Sequence, residues 1–199
     1  MRIVGGRFKG RALQGPSSRD IRPTSDRLRE SLFNILTHWE GANVVSDARV
    51  IDLFAGTGAL GLEALSRGAR FTLFVEDGAE ARALIRENLI ALGLAGTTRI
   101  FRRDATKLGD IAVEPFTLAF LDPPYGKGLA DAALRSLDDG GWLAPGAMVV
   151  VEEAAEAEIT APSRFDQVDA RVTGDSKVVL YRVRLSDTLN GRSAAPRPA

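Results

Sequence analysis

The sequence predicts an α/β fold: a mostly parallel sheet with helices on both faces, ended by an antiparallel hairpin near the C-terminus. Two observations carry that expectation. From Arg49 onward, short unbroken apolar runs alternate with helical segments, and such runs are what a strand buried on both faces requires. Beyond residue 160 the alternation stops, and Phe165–Val172 and Lys177–Val183 flank a Gly174-Asp175 turn, as in a hairpin.

In order along the chain, Arg2–Val4 and Arg7–Leu13 read as a small hairpin turned by Gly5-Gly6. Gly15–Asp20, rich in Gly, Pro and Ser, leads to Arg22-Pro23-Thr24-Ser25-Asp26, where Thr24 or Ser25 caps a helix and Asp26 suits its first turn. Leu28, Leu32, Ile35, Leu36 and Trp39 recur at helical spacing, so residues 26–39 present one face to a core. Strands are expected at Val50–Phe54, Phe71–Val75, Arg99–Arg102, Phe116–Leu121 and Ala147–Val151. Helices are expected at Ala59–Arg67, Ala79–Leu92 and Ala130–Leu137. The division that follows is a basic arm at 1–22, one main domain at 23–185, and a disordered Ser/Ala/Pro/Arg tail at 186–199.

Composition narrows the chemistry. A chain of 199 residues, 45% hydrophobic and 26% charged, fits one medium soluble domain. It has no cysteine and one histidine, His38, which excludes thiolate catalysis and multi-histidine metal sites and disfavours a Ser-His-Asp mechanism. No apolar run spans a bilayer and no signal peptide is expected, so the protein reads as cytoplasmic, monomeric, and free of metal and membrane. Net charge is zero, but residues 1–30 hold eight cations (Arg2, Arg7, Lys9, Arg11, Arg19, Arg22, Arg27, Arg29) against Asp20, Asp26 and Glu30, leaving minus five for the rest. A basic arm on an acidic body suggests a footprint for a polyanion, with a solvated arm the alternative.

Asp52-Leu53-Phe54-Ala55-Gly56-Thr57-Gly58-Ala59-Leu60-Gly61 closes the first sheet strand and opens a helix. Gly56, Gly58 and Gly61 satisfy the dinucleotide pattern G-x-G-x-x-G, and Glu76 follows about 20 residues on to meet ribose hydroxyls. The loop alone suits NAD as well as S-adenosylmethionine. Asp52 favours the latter, because a carboxylate there attracts a ligand ammonium and repels a pyrophosphate. Asp104, after the third strand and before Ala105, is placed to accept from an adenine amino group; alone it would read as a helix cap.

Asp122-Pro123-Pro124-Tyr125 follows the fourth strand, where the carboxyl ends of a parallel sheet gather ligands. An exocyclic base amine is a poor nucleophile, since its lone pair is delocalised into the ring. Hydrogen bonds to the Asp122 carboxylate and the Pro123 carbonyl would draw the nitrogen toward a pyramid and free that pair. The prolines fix φ and supply no N–H, which leaves carbonyl acceptors on a rigid frame. Tyr125 is placed to stack on the base, a task for which the ring alone suffices.

Together these segments resemble the amino-methyltransferases with a D/N-P-P-Y/F/W motif. The wider chain resembles the RsmD family of bacterial 16S rRNA guanine-N2 methyltransferases, through Met1–Arg11, Arg22–Glu30 and Asp52–Ala64, and nearly throughout Met1–Arg184. That resemblance implies a Rossmann-like class I methyltransferase with a seven-stranded sheet, one of whose last strands is antiparallel. It implies S-adenosylmethionine held by Asp52, Phe54, Gly56, Gly58, Glu76, Asp104 and Ala105, with Thr24 and Arg27 closing over it. The base falls to Asp122, Pro123, Pro124 and Tyr125, in 16S rRNA on an assembled or assembling small subunit. Arg2, Arg7, Lys9, Arg11 and Arg22 are then the candidates for its phosphates. Competing readings are a DNA adenine-N6 methyltransferase, a protein glutamine methyltransferase, an NAD-linked oxidoreductase, and an RNA-binding module without catalysis. The first lacks room for a target-recognition domain, the second leaves the basic arm without a purpose, and the third leaves Asp122–Tyr125 unexplained.

Overall fold

The computed structural model describes residues 1–15 and 26–185. The expected linker, the Thr24/Ser25 cap, Arg22 and the 186–199 tail lie outside them.

Seven strands form one sheet in the order β3-β2-β1-β4-β5-β7-β6. They are β1 (Arg49–Leu53), β2 (Phe71–Val75), β3 (Thr98–Phe101), β4 (Phe116–Leu121), β5 (Leu143–Ala154), β6 (Phe165–Thr173) and β7 (Ser176–Val183). The first five are parallel, and β7 enters antiparallel between β5 and β6. Order reverses beside β1, where the chain steps from β1 to β2 on one side and later returns to place β4 on the other. Such a switch point opens a crevice at the strands' carboxyl ends.

Alternate strand residues serve two cores. Val50, Phe74, Leu118, Phe120 and Val150 pack with α1 (Asp26–Thr37), α2 (Ala59–Ser66) and α3 (Ala79–Leu92). Ile51, Leu53, Leu73, Val75, Ala119 and Val149 pack with α4 (Leu129–Asp139) and Trp142 on the other face. Helices therefore cover both faces, as the unbroken apolar runs required. In α1 the expected stripe buries Leu32 and Leu36, joined by Phe33, while the helix stops at Thr37 and Trp39 lies beyond it. Strand β5 begins four residues before the expected Ala147, and the β4–β5 register shifts between Phe116 and Leu118. Pro145-Gly146 reads as a strand breaker in sequence but sits within this irregularity.

The N-terminal arm departs from the expected two-residue hairpin. Its antiparallel pairing is a single bridge, Arg2↔Ala12, with a 3-10 turn at Gly6–Phe8 inside a longer loop. Gly5-Gly6 lets the arm approach the end of α2. The Ser66 hydroxyl donates to Gly5 O at 2.6 Å, and Phe8 N donates back to Ser66 Oγ at 3.0 Å. A Cβ at Gly6 would stand 2.0 Å from Ser66 O, on a residue whose φ is already +72°. Beneath the arm, the fully buried Arg29 donates to Arg2 O and to Asp26 Oδ1, and lies 3.7 Å from Glu63 Oε2. Glu63, also buried, accepts from Val4 N and Arg67 Nε. Hydrogen bonds and the Arg29–Glu63 ion pair thus fasten arm, α1 and α2 together.

Candidate active site

At the carboxyl end of β1 the chain turns through Phe54 at φ +57° into the glycine loop. Gly61 is required by close approach: a Cβ there would lie 2.4 Å from the Phe74 ring and 2.7 Å from Thr72 Cγ2. Its amide donates to Asp52 Oδ2 at 2.9 Å. Asp52 is 2% exposed, and burial pushes its carboxyl well above the ordinary value; the Gly61 bond opposes the rise, and the Asp122 and Glu76 charges add to it.

Glu76, just past β2, holds the loop from the other side. Its Oε2 accepts from Gly56 N at 2.9 Å and its Oε1 from Gly78 N at 2.7 Å. Burial raises its carboxyl against those two bonds. Asp104 is exposed and its Oδ1 accepts from the Thr106 amide (2.9 Å) and hydroxyl (2.7 Å), which hold its carboxyl below the usual range. The turn-capping arrangement is thus present, with Ala105 buried beside it.

Asp122 is half-buried after β4, Pro123 is buried and Pro124 is exposed. Tyr125 is half-buried, and its hydroxyl donates to Glu152 Oε1 at 2.6 Å, a partner that stacking alone does not foretell. Burial first, then Glu152, push this phenol far up. Gly126 N donates to Glu153 Oε1 at 3.0 Å. Sequence reasoning passed over Glu152 and Glu153, although the signal was there: acids ending an apolar strand, as Glu76 and Asp122 do.

Asp52, Glu76 and Asp122 thus gather at the sheet's switch point, where they act on one another electrostatically through Asp52. Burial raises the Asp52 and Glu76 carboxyls, and a positive ligand group beside them would favour their charged forms. S-adenosylmethionine, carrying an ammonium and a sulfonium, fits this donor set; a pyrophosphate does not. Among the described residues no group of three or more His, Cys, Asp or Glu is placed to hold a metal ion, and no helix is long and apolar enough to cross a membrane.

Of the arm's cations, Arg2, Arg7, Lys9 and Arg11 are exposed. Arg2 lies 3.5 Å from Asp26, Arg7 covers the Phe8 ring at 4.6 Å, and Arg11 donates to Ala91 O at 3.0 Å. Arg27 is exposed on the first turn of α1. The arm is also nearer the glycine loop than sequence separation suggests. Asn88 of α3 accepts from Gln14 N at 2.7 Å and donates to Thr57 O at 3.1 Å, joining the two.

The family described as Conserved hypothetical protein 95 matches residues 1–182. Ribosomal RNA small subunit methyltransferase D of Escherichia coli is 41% identical over 184 residues, 92% of this chain and 89% of that protein. The solved structure of yhhF from Escherichia coli superposes with a TM-score of 0.80 at 35% identity, covering 93% of this chain and 98% of that one. An RNA methyltransferase from Salinibacter ruber, solved in complex with S-adenosyl-L-homocysteine, shares the fold at a TM-score of 0.60 and 17% identity, over 82% and 94% of the two chains.

The sheet, with β7 inserted antiparallel, is that of a Rossmann-like class I methyltransferase. More narrowly, the chain belongs to the RsmD family.

Glu76→Ala is expected to weaken S-adenosylmethionine binding by about 1.5–3 kcal/mol, the worth of charge-assisted hydrogen bonds. Calorimetry on the folded variant checks this. Unchanged affinity would leave Glu76 as a brace for the Gly56 and Gly78 amides and nothing more.

Proposed function

We propose that this chain transfers a methyl group from S-adenosylmethionine to the exocyclic N2 of a guanine in 16S rRNA, presented on an assembled or assembling small ribosomal subunit in the cytoplasm. The observation that carries the reading is the Asp122–Tyr125 loop at the carboxyl end of β4, beside the buried Asp52. The relative named as a small-subunit rRNA methyltransferase supports the substrate, and family resemblance supports the guanine amine.

Asp52, Gly56, Gly58, Glu76 and Asp104 would hold the cofactor, with Phe54 and Ala105 beside it and Thr24 and Arg27 closing over it. Bound there, S-adenosylmethionine supplies an electrophilic methyl. The chain's own residues do the rest. Asp122 and the Pro123 carbonyl accept from the two amine hydrogens, which frees the nitrogen lone pair, and Asp122 or water receives the proton that the amine gives up. Tyr125 fixes the plane of the base. A base seated on the loop would displace water and so strengthen each of these bonds.

Transfer of tritium from labelled S-adenosylmethionine to undermodified small subunits, naked 16S rRNA and DNA, followed by nucleoside analysis, tests the proposal. Label in N2-methylguanosine of the subunits is expected; label in N6-methyladenine of DNA overturns it.

Arg2, Arg7, Lys9, Arg11 and Arg22 would hold RNA phosphates. Neutralising Arg7 and Lys9 together is expected to raise the KM for subunits and to flatten its dependence on salt, by about two counterions' worth of slope. Native salt dependence in that variant would move the footprint away from the arm.

A further inference from the structure

Strand β5 outruns its parallel partner. The last β4–β5 pair is Leu121↔Val151, yet β5 continues to Ala154, its final residues pairing with β7 as Glu152↔Val178, Glu153↔Lys177 and Ala154↔Ser176. On the β4 side of this overhang lies the loop that begins at Asp122. Successive strand side chains leave on opposite faces, so Glu152 and Glu153 grip the loop from two sides. Glu152 Oε1 takes the Tyr125 hydroxyl at 2.6 Å, and Glu153 Oε1 takes Gly126 N at 3.0 Å. Both carboxylates are buried, at 8% and 3% exposure. Buried acids are expensive and persist when hydrogen bonds satisfy them. Here two neighbouring acids both bond one short loop, where strand pairing with β4 has ended, and Glu153 Oε1 also takes Ala154 N at 2.9 Å.

We propose that Glu152 is a positioning residue for the base pocket: its carboxylate anchors the Tyr125 hydroxyl and so sets the plane on which the target base stacks, while Glu153 fixes the chain just beyond. This rests on the proposed reading of Asp122–Tyr125 as the base site. The ring supplies the stacking surface, and the anchored hydroxyl supplies its orientation. Orientation matters because the amine must meet Asp122 and the Pro123 carbonyl together, and small displacements at a reacting centre cost large factors in rate.

Three variants of the full chain test this: Glu152→Ala, Glu152→Gln and Tyr125→Phe. On undermodified small subunits, Glu152→Ala is expected to lower kcat about tenfold, the scale of one hydrogen bond. Its S-adenosylmethionine affinity, measured by calorimetry, stays native. Glu152→Gln, which still accepts the hydroxyl, recovers most of the rate. Tyr125→Phe loses as much as Glu152→Ala, and combining the two adds no further loss.

A second readout needs neither substrate nor cofactor. The sequence has two tyrosines, so in a Tyr181→Phe background the near-ultraviolet tyrosine difference spectrum at neutral pH reports Tyr125 alone. Glu152→Ala removes the acceptor of its hydroxyl and is expected to shift that band to shorter wavelength, while Glu152→Gln shifts it less. An unmoved band overturns the proposal, as does native kcat in a folded Glu152→Ala or fully additive losses in the double variant. A wild-type protein that methylates no subunit would sink the base-site reading and the role of Glu152 with it. The spectrum would still report whether the Tyr125–Glu152 bond exists.

Discussion

Asp122→Ala is expected to abolish methyl transfer and to leave S-adenosylmethionine affinity within a few-fold of native. Asp122 follows β4 directly, and the rigid pair Pro123-Pro124 keeps it from drifting. In the proposed reaction its carboxylate has two tasks that no neighbour in the loop replaces. It would accept an amine hydrogen, which raises the nitrogen's nucleophilicity, and it would take the released proton. Loss of a positioned proton acceptor alone lowers rates by about 10²–10⁴, and loss of the hydrogen bond that orients the nucleophile compounds this. Cofactor affinity is spared because the buried Asp52 and the loop-bracing Glu76 remain. Single-turnover transfer paired with calorimetry measures both quantities. Near-native turnover would remove Asp122 from the mechanism.

Asp52→Asn is expected to separate stability from function. Burial holds the Asp52 carboxyl well above its ordinary value of 3.8, so the folded protein disfavours its charged form. A carboxyl raised on folding has no penalty below its unfolded pKa. The penalty grows as pH rises from there, and is complete above the folded pKa. Asparagine carries no such penalty, and its side-chain oxygen still accepts from Gly61 N. The variant therefore melts higher than native at neutral pH, and the gap closes as pH falls toward 3.8. Cofactor binding moves the other way. The native protein is expected to gain affinity for the ligand ammonium as Asp52 ionises, and the variant to bind at least about tenfold more weakly and without that pH dependence, as befits loss of a charge-assisted bond. Melting curves across pH and calorimetry at two pH values check both halves. Equal affinity in the variant would leave Asp52 as a support for Gly61.

Elements whose periodicity is set by burial were legible in sequence. The apolar runs at Phe71–Val75 and Phe116–Leu121 become β2 and β4 with the same bounds, since a strand covered on both faces is apolar nearly throughout, each of these having a single threonine. Gly5-Gly6 was misread because glycine marks both a turn and a close approach, and only the position of Ser66 decides between them. Glycine loop, Glu76 and Asp122 were legible because each follows a strand directly, so sequence order alone brings them to one edge. Glu152 stood out only as an acid ending an apolar strand; its hold on Tyr125 was not legible, because it depends on β5 overrunning β4, a matter of register that no local pattern encodes. Asn88 was hidden for a similar reason: its partners Gln14 and Thr57 lie 74 and 31 residues away.

The attachment of the arm to α2 sets an order on biosynthesis. Val4, Phe8 and Gly5 find their partners at Glu63 and Ser66, 58 to 61 residues later in the chain. This segment leaves the ribosome well before α2 and waits for its partners until α2 has also emerged. Arg29 waits with it, since Glu63 supplies its buried counter-charge. Contacts of such separation form late and slow folding. In the nascent chain this arm consequently stays open to a chaperone or protease longer than segments whose partners are local.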